Sequence, residues 1–363
     1  MTGLRLVADD LTGAADAAVA FVGRCDPVRV LLGPCDVPAA RGVTAVDLDT
    51  RDRPALDPGA AFRAAIGDVG GDGAVMVKID SLLRGPVAET VAAARAAFPD
   101  RPLVVAPAFP AVGRITVAGV QHRLEAPPPR EVAGVSLGDM LANPGPALLS
   151  SADVANGALG HVLVPGAVVV CDATNDDDLD AIVAGAAETN PVWVGSGGLS
   201  RALARRTPAQ RRPELSAVGP FLAVIGSRSE AARSQAIELA RFGAHVELGT
   251  APVLTPGSDG DNLVVTIATA QGRRSNSEVL AHLAEACAGA ARGSRLLLLS
   301  GGATARAVLD GLDVRALQLE GELEPGVVVA RAAELPGLIV LKAGSFGDAG
   351  TFVRAVRRLG APA

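Results

Sequence analysis

Short β-branched apolar runs alternate with alanine-rich stretches of helical period along the whole of the 363-residue chain. This is the pattern of βαβ units on a mainly parallel sheet, and it predicts an α/β protein. In the first half, strands are expected at Leu4–Ala8, Val28–Leu32, Val43–Leu48, Ala74–Ile79, Leu103–Ala106, Ala167–Cys171 and Val192–Val194, with helices over Ala14–Val22, Pro58–Ile66, Val87–Phe98, Asp177–Glu188 and Leu199–Arg205. In the second half, strands are expected near Phe221–Ile225, Val264–Ala268, Leu296–Leu299 and Leu338–Lys342, with helices at Glu230–Phe242, Glu278–Ala291, Ala305–Leu312 and Ala349–Leu359. Between the halves, Arg205–Pro220 concentrates arginine and proline without apolar periodicity, as a connector does. Two domains are therefore expected, 1–213 and 217–363, each a mainly parallel sheet flanked by helices. Pro127–Pro146, rich in proline and glycine, reads as a long excursion, a candidate lid or homodimer contact.

Composition narrows the function classes. No apolar run approaches the roughly 20 residues of a membrane span, and the N-terminus meets Asp9 and Asp10 before a signal-peptide core could form. A cytoplasmic protein with no membrane contact is expected. A net charge of −6, 2% aromatics and no tyrosine argue against nucleic acid, which is bound through phosphate neutralisation and base stacking. Cys25, Cys35, Cys171 and Cys287 form no CxxC pair, so neither a zinc site nor a disulfide framework is indicated.

In open α/β sheets ligands bind beyond the carboxyl ends of the strands. Those positions are heavily charged in the first half: Asp9-Asp10-Leu11-Thr12 after the first strand, Asp47-Leu48-Asp49-Thr50-Arg51 after the third, and Lys78-Ile79-Asp80 after the fourth. Of two adjacent carboxylates, one can face the cleft to accept a hydroxyl proton or hold a hydroxyl while the other bonds loop amides; alternatively, Asp10 or Thr12 caps the next helix and Asp9 faces water. Asp16 is expected in the first turn of that helix, where the dipole favours it. Arg84 can fold back over the strand end and clamp a carboxylate with its planar fork, or it can join Lys78 and Asp80 in a surface salt bridge. Arg51 and Arg114 are further candidate clamps, and His122 is a candidate base without a visible partner.

The second half repeats a strand, a Gly- or Ser-rich turn and a helix: Gly226-Ser227-Arg228-Ser229, Ser300-Gly301-Gly302-Ala303-Thr304 and Lys342-Ala343-Gly344-Ser345-Phe346-Gly347. Ser227, three residues before Glu230, suggests a capping box. Helix starts reached through glycine favour phosphate. The P-loop and GxGxxG patterns are both absent, which disfavours Walker-type NTPases and ordinary dinucleotide dehydrogenases.

Taken in order, ADDLTGAAD, KIDSLLRG, PAFPAVGRITVAGVQ, CDATNDDDLDAI, GSGGLSRAL, IGSRSEAARSQ, SGGATA, EPGV and KAGSFG resemble the four-carbon acid sugar kinase family across almost the whole chain. The resemblance implies ATP-dependent phosphorylation, with Mg2+, of a hydroxyl of threonate, erythronate or a 3-oxo-tetronate, in a cleft between the domains. It implies acid-sugar binding by Asp9, Asp10, Lys78, Asp80, Arg84 and Arg114, joined by Arg51 as a candidate, and nucleotide binding by Ser227, Ser229, Gly301, Gly302, Ala303, Thr304 and Gly344. In that scheme Arg84 holds the carboxylate, Asp10 or Asp80 accepts the hydroxyl proton, and Lys78 neutralises the migrating phosphoryl group. Ala303 stands where the family usually has glutamate, Ser345 where it has asparagine, and Gln121-His122 where a His-aromatic pair is expected. The alternative is a sugar-acid-binding regulatory protein on the same fold.

Overall fold

The computed structural model describes residues 3–33, 42–51, 53, 55–67, 73–124, 130–131, 136–141, 145–210, 215–217, 219–248, 262–267 and 275–360. The chain divides into two compact units, Met1–Gln210 and Arg211–Ala363. Residues 211–214 and 218 of the expected connector, half of the Pro127–Pro146 excursion, Cys35 and Ala268 lie outside the described residues.

The N-terminal unit carries β1 Leu4–Ala8, β2 Val28–Leu32, β3 Val43–Asp47, β4 Ala74–Lys78, β5 Leu103–Ala106, β6 Arg114–Val117, β7 Val120–Arg123, β8 Arg130–Glu131, β9 Ala147–Leu149, β10 Val168–Cys171 and β11 Val192–Gly195. Its helices are α1 Leu11–Val19, α2 Pro58–Ile66, α3 Val87–Ala97, α4 Leu137–Met140, α5 Ser151–Ala155, α6 Leu159–Val162, α7 Asp176–Ala186 and α8 Gly197–Arg205. The main sheet runs β2-β3-β1-β4-β11-β5-β10-β9, every pair parallel. β1 and β3 are buried at every position, as parallel strands covered on both faces must be. β6, β7 and β8 form a separate antiparallel sheet.

The C-terminal unit carries β12 Phe221–Ile225, β13 Ala244–Leu248, β14 Leu263–Ile267, β15 Leu296–Ser300, β16 Ala316–Glu324, β17 Val327–Arg331 and β18 Leu338–Lys342, with α9 Glu230–Leu239, α10 Asn276–Gly293, α11 Gly302–Gly311 and α12 Thr351–Leu359. Its strands follow the order β13-β14-β12-β15-β18-β17-β16. The first five are parallel; β17 is antiparallel to both β18 and β16. Phe221, Ile225, Leu298, Val340, Phe352 and Val356 belong to one buried cluster. A capping box between Ser275 and Glu278 starts α10.

Several helix starts differ from expectation by one to three residues, those of α1 and α11 by three, and the cap of α9 differs as well. α1 begins at Leu11 rather than Ala14, because Asp10 is its N-cap and accepts from Gly13 N–H; Asp16 is consequently beyond the first turn and pairs with Arg201 at 3.4 Å. α9 is capped by Ser229, which accepts from Ala232 N–H, so no box forms from Ser227. The pattern also misses the β6–β7 and β16–β17 hairpins, β9 and β13. Of the cysteines, Cys171 and Cys287 are buried, Cys25 is half-buried and all three are free. No helix among the described residues is long and apolar enough to cross a membrane.

Candidate active site

In the N-terminal unit β2 and β3 lie on one side of β1 and β4 on the other, so the strand order reverses between β1 and β4. Loops leaving the carboxyl ends of strands at such a reversal diverge and open a crevice. The loops after β1, β3 and β4 bring Asp9, Asp10, Arg51, Lys78, Asp80 and Arg84 to this point. Arg51 is the hub: its Nε is 2.8 Å from Asp9 Oδ2 and its Nη2 2.6 Å from Asp9 Oδ1. The same Nη2 is 2.8 Å from Asp10 Oδ1, and Nη1 is 3.8 Å from Asp80 Oδ1.

Asp10 combines two roles that sequence alone leaves as alternatives. It caps α1, accepting from Gly13 N–H at 3.0 Å and from the Thr12 hydroxyl at 2.5 Å, and it also pairs with Arg51. Asp9 is buried against Arg51 and does not face water. Asp80 accepts from Arg84 Nε and Nη2, both at 2.8 Å, and from the amides of Leu82 at 3.1 Å and Arg84 at 3.3 Å. Arg84 thus forms the salt bridge while keeping its side chain 58% exposed, whereas that of Arg51 is 12% exposed. Lys78 is buried and donates to the Ile79 carbonyl at 3.1 Å. Gly85, with φ of +82°, closes the loop; a Cβ there would lie 2.7 Å from Asp9 Oδ2.

The charges are strongly coupled. Burial pushes the Asp9 carboxyl up, against the pull of Arg51. Burial also works to raise Asp80, but the hydrogen bonds from Arg84 and the charge of Arg51 outweigh it and hold that carboxyl well below the usual range. Burial opposes the charge on Arg51, yet Asp10 and Asp9 more than compensate and hold its proton more firmly than usual.

Arg114 sits at the start of β6 with its guanidinium on the carbonyls of Val112 and Gly113, at 3.0 and 3.2 Å. His122, on β7, has a buried Nδ1 with no hydrogen-bond partner among the described residues. Sequence reasoning notes Gln121 only as a departure from the family pattern and gives it no role. Its buried amide accepts from the Thr116 hydroxyl at 2.7 Å and donates to the carbonyls of Ser81 at 3.0 Å and Pro107 at 3.3 Å. This ties the hairpin to the loop that carries Asp80 and Arg84.

The C-terminal unit has the same kind of reversal, between β12 and β15, with β18 next in the sheet. The three Gly/Ser turns therefore lie side by side. The Gly301 amide donates to the Lys342 carbonyl at 2.9 Å, and the Ser229 hydroxyl to the Gly344 carbonyl at 2.7 Å. Ser227 Oγ accepts from the Ser229 amide at 3.3 Å and packs so closely that a Cβ at Gly344 would lie 2.1 Å away. Gly301 caps α11 with no side-chain hydrogen bond, so Gly302, Ala303 and Thr304 begin a helix whose first amides need an outside acceptor. The Ser300 hydroxyl beside them is fully buried and has no partner among the described residues. These features suit the phosphates of a nucleotide.

A cavity of about 420 Å³ lies elsewhere in this unit, lined by Leu323, Glu324, Val327, Thr351 and Arg354 among others. Its Arg354 is already committed to Glu324 and Asp348, and of the segments that carry the family resemblance only EPGV contributes to its lining, through Glu324 and Val327. Among the described residues no group of three or more His, Cys, Asp or Glu could hold a metal ion.

Two α/β units of one strand order, one presenting coupled charges and the other uncommitted amides, have the build of a two-domain small-molecule kinase. Residues 4–203 match the family model of a sugar-binding N-terminal domain, and residues 240–352 that of a nucleotide-binding C-terminal domain. The chain is 33% identical to a D-threonate kinase of Cupriavidus necator, with 94% of each chain covered. It is 30% identical to a D-threonate kinase of Bordetella bronchiseptica, covering 98% of this chain and 96% of the other. A solved Salmonella typhimurium structure shares the fold with a TM-score of 0.76 at 21% identity, covering 98% of this chain and 99% of that one. The chain belongs to the four-carbon acid sugar kinase family.

Proposed function

We propose that the protein transfers the γ-phosphoryl group of ATP to a hydroxyl of a four-carbon aldonic acid of the threonate class. The N-terminal unit holds the acid and the C-terminal unit the nucleotide. The observation that carries this reading is Arg84. It is a guanidinium fixed by Asp80 yet more than half exposed, and it stands at the strand-order reversal beside Asp10 and Lys78. A fork held in this way is suited to a small carboxylate.

Asp10 and Asp80 orient the acceptor hydroxyl. Both already accept from cations or amides, and positioning and charge stabilisation dominate in a loose phosphoryl-transfer transition state. Lys78 offsets the charge developing on the transferred group. Magnesium would arrive bound to the phosphate oxygens of the nucleotide, keeping several of its waters, and would offset the phosphate charge. Such ATP use fits the cytoplasm.

The test is ATP consumption by the purified protein with D-threonate, erythronate, their 3-oxo forms and, as controls, tetritols lacking a carboxylate. Turnover with an acid and none with the tetritols is expected. Turnover with tetritols alone would remove Arg84 from substrate recognition.

A further inference from the structure

Lys342 ends β18 and is completely buried, yet none of the roles assigned so far uses its ammonium group. That group donates to three carbonyls of the turn that follows: Ala343 at 2.7 Å, Gly344 at 3.3 Å and Phe346 at 2.9 Å. A trans peptide places its N–H opposite its C=O. Gathering these three carbonyls inward therefore turns the amides of Gly344, Ser345 and Gly347 away from the ammonium. Among the described residues, none of the three donates to a protein acceptor. Gln235 reinforces the arrangement by donating to the carbonyls of Phe346 at 3.0 Å and Asp348 at 2.9 Å.

We propose that Lys342 is a positioning residue that shapes the β18–α12 turn into a cradle of outward amides for the phosphates of the nucleotide. Successive outward amides make an anion-binding concavity, and a cation behind them in a low-dielectric interior strengthens it. The Phe352 ring, 5.5 Å from the ammonium, closes the apolar side of its chamber. Lys342 itself touches no ligand and acts through the backbone. This rests on the nucleotide-binding reading of the C-terminal unit.

The experiment compares wild type with Lys342→Met by ATP calorimetry and steady-state kinetics, and follows the wild-type amide resonances of Gly344, Ser345 and Gly347 during titration with ATP and with inorganic tripolyphosphate. Losing charged hydrogen bonds behind the turn should raise Kd and KM for ATP about tenfold or more. The KM for the acid should stay within about twofold, a split that general loosening of the fold would not produce. Both phosphate ligands should shift the three amides. ATP affinity retained in Lys342→Met would overturn the proposal. If that variant does not fold, the resonances decide: a wild type that binds ATP without shifting these amides overturns it equally. A wild type that binds no ATP at all would instead defeat the nucleotide reading, and the cradle with it.

Discussion

The two units thread their parallel strands in the same order, β2-β3-β1-β4-β11 in one and β13-β14-β12-β15-β18 in the other. They put opposite chemistry at the same places. After the first strand stand Asp9 and Asp10 in one unit and Gly226-Ser227-Arg228-Ser229 in the other; after the fourth, Asp80 and Arg84 against Gly301 and Gly302. One crevice is filled with side-chain charge that balances itself. The other is kept small so that backbone amides can be approached. The shared topology supplies a place for a ligand, and the residues at the strand ends decide which one.

The comparison breaks most severely at Arg51. Its partners Asp9, Asp10 and Asp80 are buried or nearly so, and Arg51→Met leaves them facing one another without their shared cation. Removing one partner of a buried ion pair costs about 3–5 kcal/mol. Misplacing groups by about an ångström costs roughly a hundredfold in rate. Thermal unfolding and steady-state turnover should both fall accordingly. Arg51 lies in the N-terminal unit and the Gly/Ser turns in the C-terminal one, so the ATP affinity of folded Arg51→Met should match wild type.

Arg84→Gln should produce a smaller and more selective effect. Its own side chain is 58% exposed but that of Asp80 only 9%, so losing their bond should cost about 1–3 kcal/mol, less than at Arg51. Loss of a bidentate carboxylate contact should also raise the KM for the acid about tenfold or more, with the KM for ATP unchanged. Equal rises in both constants would mean that Arg84 does not distinguish the two ligands.

How much of this is legible without coordinates differs between element types. Buried parallel strands are continuous apolar runs, so β1, β3, β4, β5, β12, β15 and β18 stand out, and with them the charged or glycine-rich residues at their ends. The β16–β17 hairpin is hidden because Ala316–Glu324 intersperses Gln318, Glu320 and Glu322 among its apolar residues, a period-two pattern beside a Pro325-Gly326 turn that is easily read as loop. The central place of Arg51 is equally hidden. Its chain position ranks it below Arg84, and only the folded geometry brings its guanidinium to both Asp9 and Asp10. Lys342 reads as the last residue of a strand, and its three carbonyl partners belong to a turn whose path no spacing predicts.

The smallest expected effect sharpens the contrast, because pH should act on the two units in different windows, stability rising with pH in each. Asp80 has a folded pKa below its unfolded value near 3.9. Its contribution is complete above that value and is lost as the pH falls below it, when the unfolded chain takes up the proton first. Burial pushes the Lys342 ammonium down to about 7, below its ordinary value near 10.4. Between those values the folded protein has released a proton that the unfolded chain still holds, so stability rises with pH across that window. Unfolding midpoints of wild type minus Asp80→Asn should therefore decline on acidification below about pH 4. Those of wild type minus Lys342→Met should climb from about pH 7 to 10. A flat difference for Lys342→Met would mean that its ammonium keeps its proton throughout, the three carbonyls having fully offset the cost of burial.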